Sequence, residues 1–175
     1  MPSGKTHDLL TVLLLPPTFA VGWLVTREPA LALLISFFTL FGGFMFGPDL
    51  DTHSRQYTRW GFLRFLWFPY KVVFAHRSRW SHGILFGTLI RVLYFAGVSA
   101  IFIALGVYLR ALLISGGAPT AGEAWQQAEV IYEIIARQTG DGAGIATFAG
   151  LWWGAAIHTI ADVVWSMLKK GKEIL

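Results

Sequence analysis

Residues 30–46 read ALALLISFFTLFGGFMF and run directly into GPDLD at 47–51. This stretch decides what kind of fold the chain can form. No charge interrupts its first part, and the hydrocarbon core of a bilayer takes roughly 20 apolar residues of helix to cross. A helix is one of the two structures that satisfy every backbone polar group inside lipid. Gly47-Pro48 stops the run, because the proline ring forces the residue before it out of helical geometry. Just past the stop stand Asp49 and Asp51. An apolar span and a pair of carboxylates therefore share one boundary.

Outward from there the pattern recurs. Upstream, 9–25 is apolar but holds Pro16 and Pro17, which remove two backbone donors and predict a bent span. Lys5 precedes it as in a signal peptide, yet no small-x-small cleavage pattern comes before Arg27-Glu28, so the segment is expected to be retained. Downstream, 83–114 exceeds one bilayer thickness and must tilt or protrude, with Arg91 and Arg110 expected to snorkel. The last run, 145–168, ends on Lys169, Lys170 and Lys172. Between the runs, 52–81 mixes Arg55, Arg59, Arg64, Lys71, Arg77 and Arg79 with Tyr57, Trp60, Phe65, Trp67, Phe68 and Tyr70, a composition suited to the headgroup region. Residues 123–137 read as a short amphipathic helix with Trp125, Val130, Ile131, Ile134 and Ile135 broadly on one side, ended by Gly140, Gly142 and Gly144.

The whole composition agrees. Apolar residues make up 55% and charged ones 14%, the mean hydropathy is +0.57, and soluble domains carry about 25% charge. The expected fold is all-α: a single polytopic membrane domain, 1–175, of about four transmembrane helices (9–25, 30–46, 83–114 and 145–168) with amphipathic interfacial segments. With four spans, Lys5, the basic 55–79 segment and the C-terminal lysines fall on one side, and Glu28, Glu123, Glu129, Glu133 and Asp141 on the other. The positive-inside rule makes the basic side cytoplasmic, so the chain is expected in a bacterial inner membrane, multi-pass, with both termini inside. Clustered cations at a membrane speak of topology and anionic lipid, so membrane lipid is the expected partner and nucleic acid is not. The apolar surface also suits neighbouring subunits of a larger membrane complex.

In that topology all five histidines face the cytoplasm. His7 and Asp8 precede the first span, Asp49 and Asp51 follow the second, His76 and His82 precede the third, and His158 and Asp162 lie in the inner part of the fourth. In His158-Thr-Ile-Ala-Asp162 an imidazole and a carboxylate one turn apart can share a cation, and an Asp in a bilayer is costly without a partner. A structural Asp–His hydrogen bond is the competing reading. Asp49 and Asp51 sit where the negative end of a helix also favours a cation, against the alternative of a plain polar turn. His76-Arg-Ser-Arg-Trp-Ser-His82 supplies two more imidazoles, and its Arg77 and Arg79 carry guanidinium groups that match phosphate oxygens. Those arginines serve equally well as anchors on lipid phosphates. His53 stands behind the others. The chain has no cysteine, so any metal takes nitrogen and oxygen ligands. Imidazoles among carboxylates point to one or two divalent ions, Zn or Mn, at a hydrolytic site.

Taken in order, His7, Pro48-Asp49-Leu50-Asp51, His76-Arg77 with Ser81-His82, and His158-x-x-x-Asp162 resemble the bacterial LexA-regulated, membrane-bound metal-dependent hydrolases, and more closely their uncharacterised metal-binding membrane relatives. The resemblance spans nearly the whole chain. It implies His7, Asp49, Asp51, His76, His82, His158 and Asp162 as metal ligands and leaves Asp8 and His53 outside the pattern. Better-known members have Thr-His where this chain has Ser81-His82. Two functions follow. In the first, a hydrolase at the cytoplasmic membrane face cleaves a phosphate or ester, with a lipid-linked phosphate as the natural substrate, Asp49 or Asp51 as base or bridging ligand, and Arg77 or Arg79 stabilising charge. In the second, the cluster binds metal without catalysis, or serves a structural subunit. Transport ranks last, because no span carries a polar path through its middle.

Overall fold

A computed structural model describes residues 2–74 and 78–174, with the side chains at 79, 82, 115, 135, 138, 139 and 170–174 excepted. The described residues are helical throughout and contain no strand. In chain order the helices are α1 (Gly4–Leu13), α2 (Leu15–Thr26), α3 (Pro29–Met45), α4 (Arg55–Thr58), α5 (Phe68–Val73), α6 (Arg79–His82), α7 (Phe86–Ser115), α8 (Ala121–Thr139) and α9 (Ala143–Ile174). Short 3-10 turns occupy Pro48–Asp51 and Gly61–Trp67. Two compact units divide the chain: residues 1–92 with 144–175, and residues 93–143.

Two helical stretches among the described residues are long and apolar enough to cross a membrane, Pro29–Asp51 with mean hydropathy 2.0 and Phe86–Ile114 with 2.2. The pair α1 and α2 makes a third if its 41° bend counts as one broken span. That bend falls at Leu14, just before Pro16 and Pro17 in the first turn of α2, where missing donors cost least. Helix α9, which covers 145–168, is not among these stretches; glycine, alanine, His158 and Asp162 dilute its apolar run.

In the first unit, glycines set how closely the helices meet. A side-chain carbon at Gly154 of α9 would strike the backbone carbonyl of Thr39, and one at Gly150 would lie 2.5 Å from the Ile35 oxygen. On the facing helix, Gly42 leaves only enough room for the Leu151 backbone, and Gly43 for Thr11 of α1. Small residues at such crossings let backbones touch, which drives packing where apolar side chains gain nothing from leaving water. As a result, the end of α3 meets α1 on one side and α9 on the other.

The last turn of α3 leaves carbonyls that no helix can satisfy. Three side chains from the following segment satisfy them in sequence: Gln56 Nε2 donates to the Gly43 oxygen (2.7 Å), Arg59 Nη1 to that of Phe44 (3.0 Å) and Trp60 Nε1 to that of Met45 (2.7 Å). The chain after Pro48 is thereby folded back onto the helix it has just left. The aromatic residues of 52–81 divide as a consequence. Trp60, Trp67 and Tyr70 are buried and meet edge to face, with Phe46 against Trp67 at 5.4 Å, while Phe62, Phe65 and Phe68 are exposed. Only that exposed half keeps the character expected of a headgroup segment.

Arg91 also departs from expectation. It does not snorkel; it is 1% exposed, and its Nη1 donates to the Ser81 carbonyl at 2.6 Å and its Nη2 to Thr88 Oγ1 at 3.1 Å. Bonds to the Ser81 carbonyl, just before α7, and to the Thr88 hydroxyl within it hold the guanidinium inside.

The second unit contains the remainder of α7 and all of α8. Thr120 and Glu123 form a reciprocal capping box at the start of α8, Glu133 pairs with Arg137 one turn on (3.0 Å), and Gly140 ends the helix at φ 71°.

Candidate metal centre

In the first unit the start of α1, the turn after α3 and the middle of α9 deliver the polar groups. His7 comes from the second turn of α1, where Thr11 Oγ1 donates to its carbonyl at 2.9 Å. Asp49 comes from the 3-10 turn that Pro48 begins beyond α3. His158 and Asp162 come from one face of α9, a helical turn apart. The glycine crossings at Gly43 and Gly154 bring these three places within reach of one another.

His7, His158 and Asp162 each offer a ligand atom, and these atoms lie within 4.8 Å of one another. His7 Nε2 stands 3.4 Å from Asp162 Oδ1, and His158 Nε2 stands 3.6 Å from Asp162 Oδ2 and 3.3 Å from Asp49 Oδ2. The two imidazole rings stack with centroids 3.7 Å apart and planes 11° from parallel. Side-chain exposures are 8% for His7, 4% for His158, 13% for Asp162 and 22% for Asp49. His158 Nε2 and both Asp162 oxygens are buried and make no hydrogen bond. Buried polar groups are nearly always hydrogen-bonded, so lone pairs gathered on one point without bonds between them fit a shared cation.

Gln56 fixes the far edge of His158. Its Oε1 accepts from the Asp49 backbone N–H (3.1 Å) while its Nε2 serves Gly43, which settles the amide orientation and leaves Nε2 3.4 Å from His158 Nδ1. The amide nitrogen can only donate, so this contact holds the ring in place without being the N–H donation from the imidazole that accompanies ligation through the opposite nitrogen. A small cavity of about 30 Å³ opens beside these groups, lined by His7, Asp49, His158, Ser54 and Arg55 among others. A volume of that order accepts one water or ion. Asp8 accepts both Nη atoms of Arg59 (2.9 and 2.6 Å) and one from Arg55 (3.1 Å).

The sequence-derived set thus divides. His7, Asp49, His158 and Asp162 converge. Asp51 shares the turn of Asp49 but is 6% exposed and does not line the cavity. It belongs to a buried polar group with Tyr70 and Arg91: burial pushes the Tyr70 phenol above its usual range, against the pull of Arg91 beside it. His53 is exposed, its ring edge-on to Tyr57. His76 and Arg77, and the side chains of Arg79 and His82, lie outside the described residues. Gln56 escapes sequence reading because no motif surrounds it. Arg91 had a signal, since a charge inside an apolar run is a functional pointer by default.

Comparison with known proteins agrees with this chemistry. The sequence model of the family described as "Uncharacterized metal-binding protein (DUF2227)" matches residues 2–172. An uncharacterized protein of Aquifex aeolicus (strain VF5) is 46% identical over 56 residues, which are 31% of this chain and 39% of that protein. The chain therefore aligns with about two-fifths of this relative's length. No solved structure matches.

Proposed function

The chain belongs to this family of uncharacterized metal-binding proteins, and we propose that it is a membrane-embedded, metal-dependent hydrolase acting on a phosphate or ester at the cytoplasmic membrane face. One observation carries the reading: His158 Nε2 and both Asp162 oxygens are buried without hydrogen bonds beside His7 and Asp49, and His7, Asp49 and His158 line a cavity the size of a water. The resemblance of the ordered motifs to the LexA-regulated hydrolases supports the reaction class.

His7, His158 and Asp162 would hold a divalent ion, with Asp49 as the fourth donor or as the base. Two imidazoles among carboxylates suit Zn or Mn. When bound, such an ion polarises a phosphoryl or ester oxygen and lowers the pKa of a coordinated water. Asp49 lines the cavity and Asp51 does not, so Asp49 is assigned to take the proton of the attacking water. Arg77 and Arg79 keep their proposed place as stabilisers of developing charge, and His76 and His82 as further ligands that could complete a second ion's shell. Placement in a membrane is supported by the two apolar stretches, or three with α1 and α2 as one; the proposed four spans need α9 as the fourth, and the proposed cytoplasmic termini rest on the charge asymmetry.

The test is metal content by mass spectrometry of detergent-purified protein beside His158→Ala, followed by turnover of aryl phosphoesters. Stoichiometric Zn or Mn that is lost in the variant, with turnover only in the loaded wild type, is the expected result. Bound metal without turnover on any ester would favour the non-catalytic reading, and a metal-free wild type of equal stability would end both.

A further inference from the structure

Two arginines reach Asp8, and they are used differently. Arg59 spends both Nη atoms on the carboxylate and also serves the Phe44 carbonyl, so it is a fixed part of the framework. Arg55 gives Asp8 a single nitrogen, its side chain is 50% exposed, and it lines the same small cavity as His7, Asp49 and His158. Its stem is held in place from both sides. A side-chain carbon at Gly4 would lie 2.5 Å from Arg55 Cδ, and Ser54 just before it is anchored by donating to the Asp49 carbonyl at 2.7 Å. Two guanidinium charges against one carboxylate leave this corner with one net positive charge beside a site built for a cation.

We propose that Arg55 is the anion-binding side chain of this site and that the substrate it admits carries a phosphoryl group. This rests on the hydrolase reading and narrows it. The cavity of about 30 Å³ takes one oxygen, not a whole phosphate. A phosphoryl group can place one oxygen among His7, Asp49 and His158 and offer a second, anionic oxygen to the guanidinium at the mouth, a match of planar fork to oxyanion that lysine does not reproduce. A carboxylic ester has no second anionic oxygen to offer. A phosphoryl group from solution and one on a lipid headgroup present the same chemistry to Arg55.

The experiment uses the full-length protein loaded with Mn²⁺ in detergent and reads the paramagnetic broadening of the ³¹P resonance in two arms: inorganic phosphate in solution, and phosphatidic acid doped into the micelles. Wild type should broaden one or both, and the arm with the tighter binding identifies the source. Arg55→Gln should keep the wild-type Mn content while its phosphate affinity falls by about tenfold or more, the loss expected for a charge-assisted hydrogen bond. Arg55→Lys keeps the charge and can still reach Asp8; should Arg55→Gln fail to fold, Arg55→Lys with full Mn content must bind phosphate more weakly than wild type. Equal binding in a folded variant, or no broadening in either arm by Mn-loaded wild type, overturns the proposal. Failure of wild type to take up Mn is a different result, which sinks the metal reading beneath it; equilibrium dialysis of phosphate against wild type and Arg55→Gln then still decides whether Arg55 binds the anion.

Discussion

At the scale of single residues, the buried groups decide which substitutions matter. Arg91 offers the sharpest case, because its guanidinium is fully withdrawn yet donates to Ser81 and Thr88. Arg91→Met keeps most of the volume and removes the donors to the Ser81 carbonyl and the Thr88 hydroxyl, together with the positive charge near Asp51. A loss of about 2–4 kcal/mol is expected from such a deletion, measured as a lower unfolding temperature in detergent, with less metal retained if the turn carrying Asp49 shifts. Unchanged stability would mean that the guanidinium is not what orders the start of α7. His7, Asp49, His158 and Asp162 were legible in the sequence because imidazoles and carboxylates at helix ends have few uses in an apolar chain. Gln56 and the Asp8–Arg59–Arg55 arrangement were not legible: an amide that caps one helix while facing a histidine 102 positions away leaves no local pattern to read. For Arg91, the general tendency of long cations to snorkel lost to hydrogen bonds with the Ser81 carbonyl and the Thr88 hydroxyl, which spacing alone does not reveal.

At the scale of elements, the crossing of α3 and α9 carries the site. Replacing a helical glycine by alanine ordinarily gains up to about 1 kcal/mol. At Gly154 the sign should reverse, because the new carbon meets the Thr39 carbonyl and the Gly43 amide, which are backbone and cannot rotate away. Gly154→Ala is expected to destabilise by about 1–3 kcal/mol, as overpacking does. It should also weaken metal binding severalfold, since His158 lies one turn further along the helix that is pushed aside. Titration of apo protein with Zn²⁺ beside thermal unfolding reads both effects; a variant that is more stable and binds metal as before would remove this crossing from the account. The sequence announced where these elements bend and end, through Pro16-Pro17 and Gly47-Pro48, but the helix expected from Glu123 begins at Ala121, where the Thr120–Glu123 capping box starts it. It did not announce that Gln56, Arg59 and Trp60 would cap α3, which turns half of an expected surface segment into core. Basic-aromatic composition is common to headgroup segments and to helix caps, so composition could not separate them.

At the scale of the whole molecule, the apolar residues left outside are the main argument for a bilayer. Val25, Phe37, Leu93 and Ile114 are 76%, 61%, 62% and 72% exposed. Single exposed apolar residues are ordinary on a soluble surface, but long helices studded with them call for lipid. The proposed direction of insertion rests on the charge asymmetry, which would put Lys5 and the 55–79 arginines inside and the Arg27–Glu28 turn outside. Because the chain has no cysteine, a single introduced thiol reports its own side without background. Ser3 and Glu28 are both exposed; Glu28 makes no side-chain cap at the start of α3, whereas Ser3 Oγ caps α1 by accepting from the Thr6 N–H at 3.2 Å, so Ser3→Cys gives up that cap, at about 1 kcal/mol, while still reporting its side. In intact cells a membrane-impermeant maleimide should label Glu28→Cys and spare Ser3→Cys until the membrane is opened. The reverse pattern would place the metal centre on the outer face, where the substrates and the metal supply differ. Labelling of both in intact cells would mean that α1 and α2 together do not cross the membrane, and the bend at Leu14 would then be the turn of a re-entrant hairpin instead of a kink in one span.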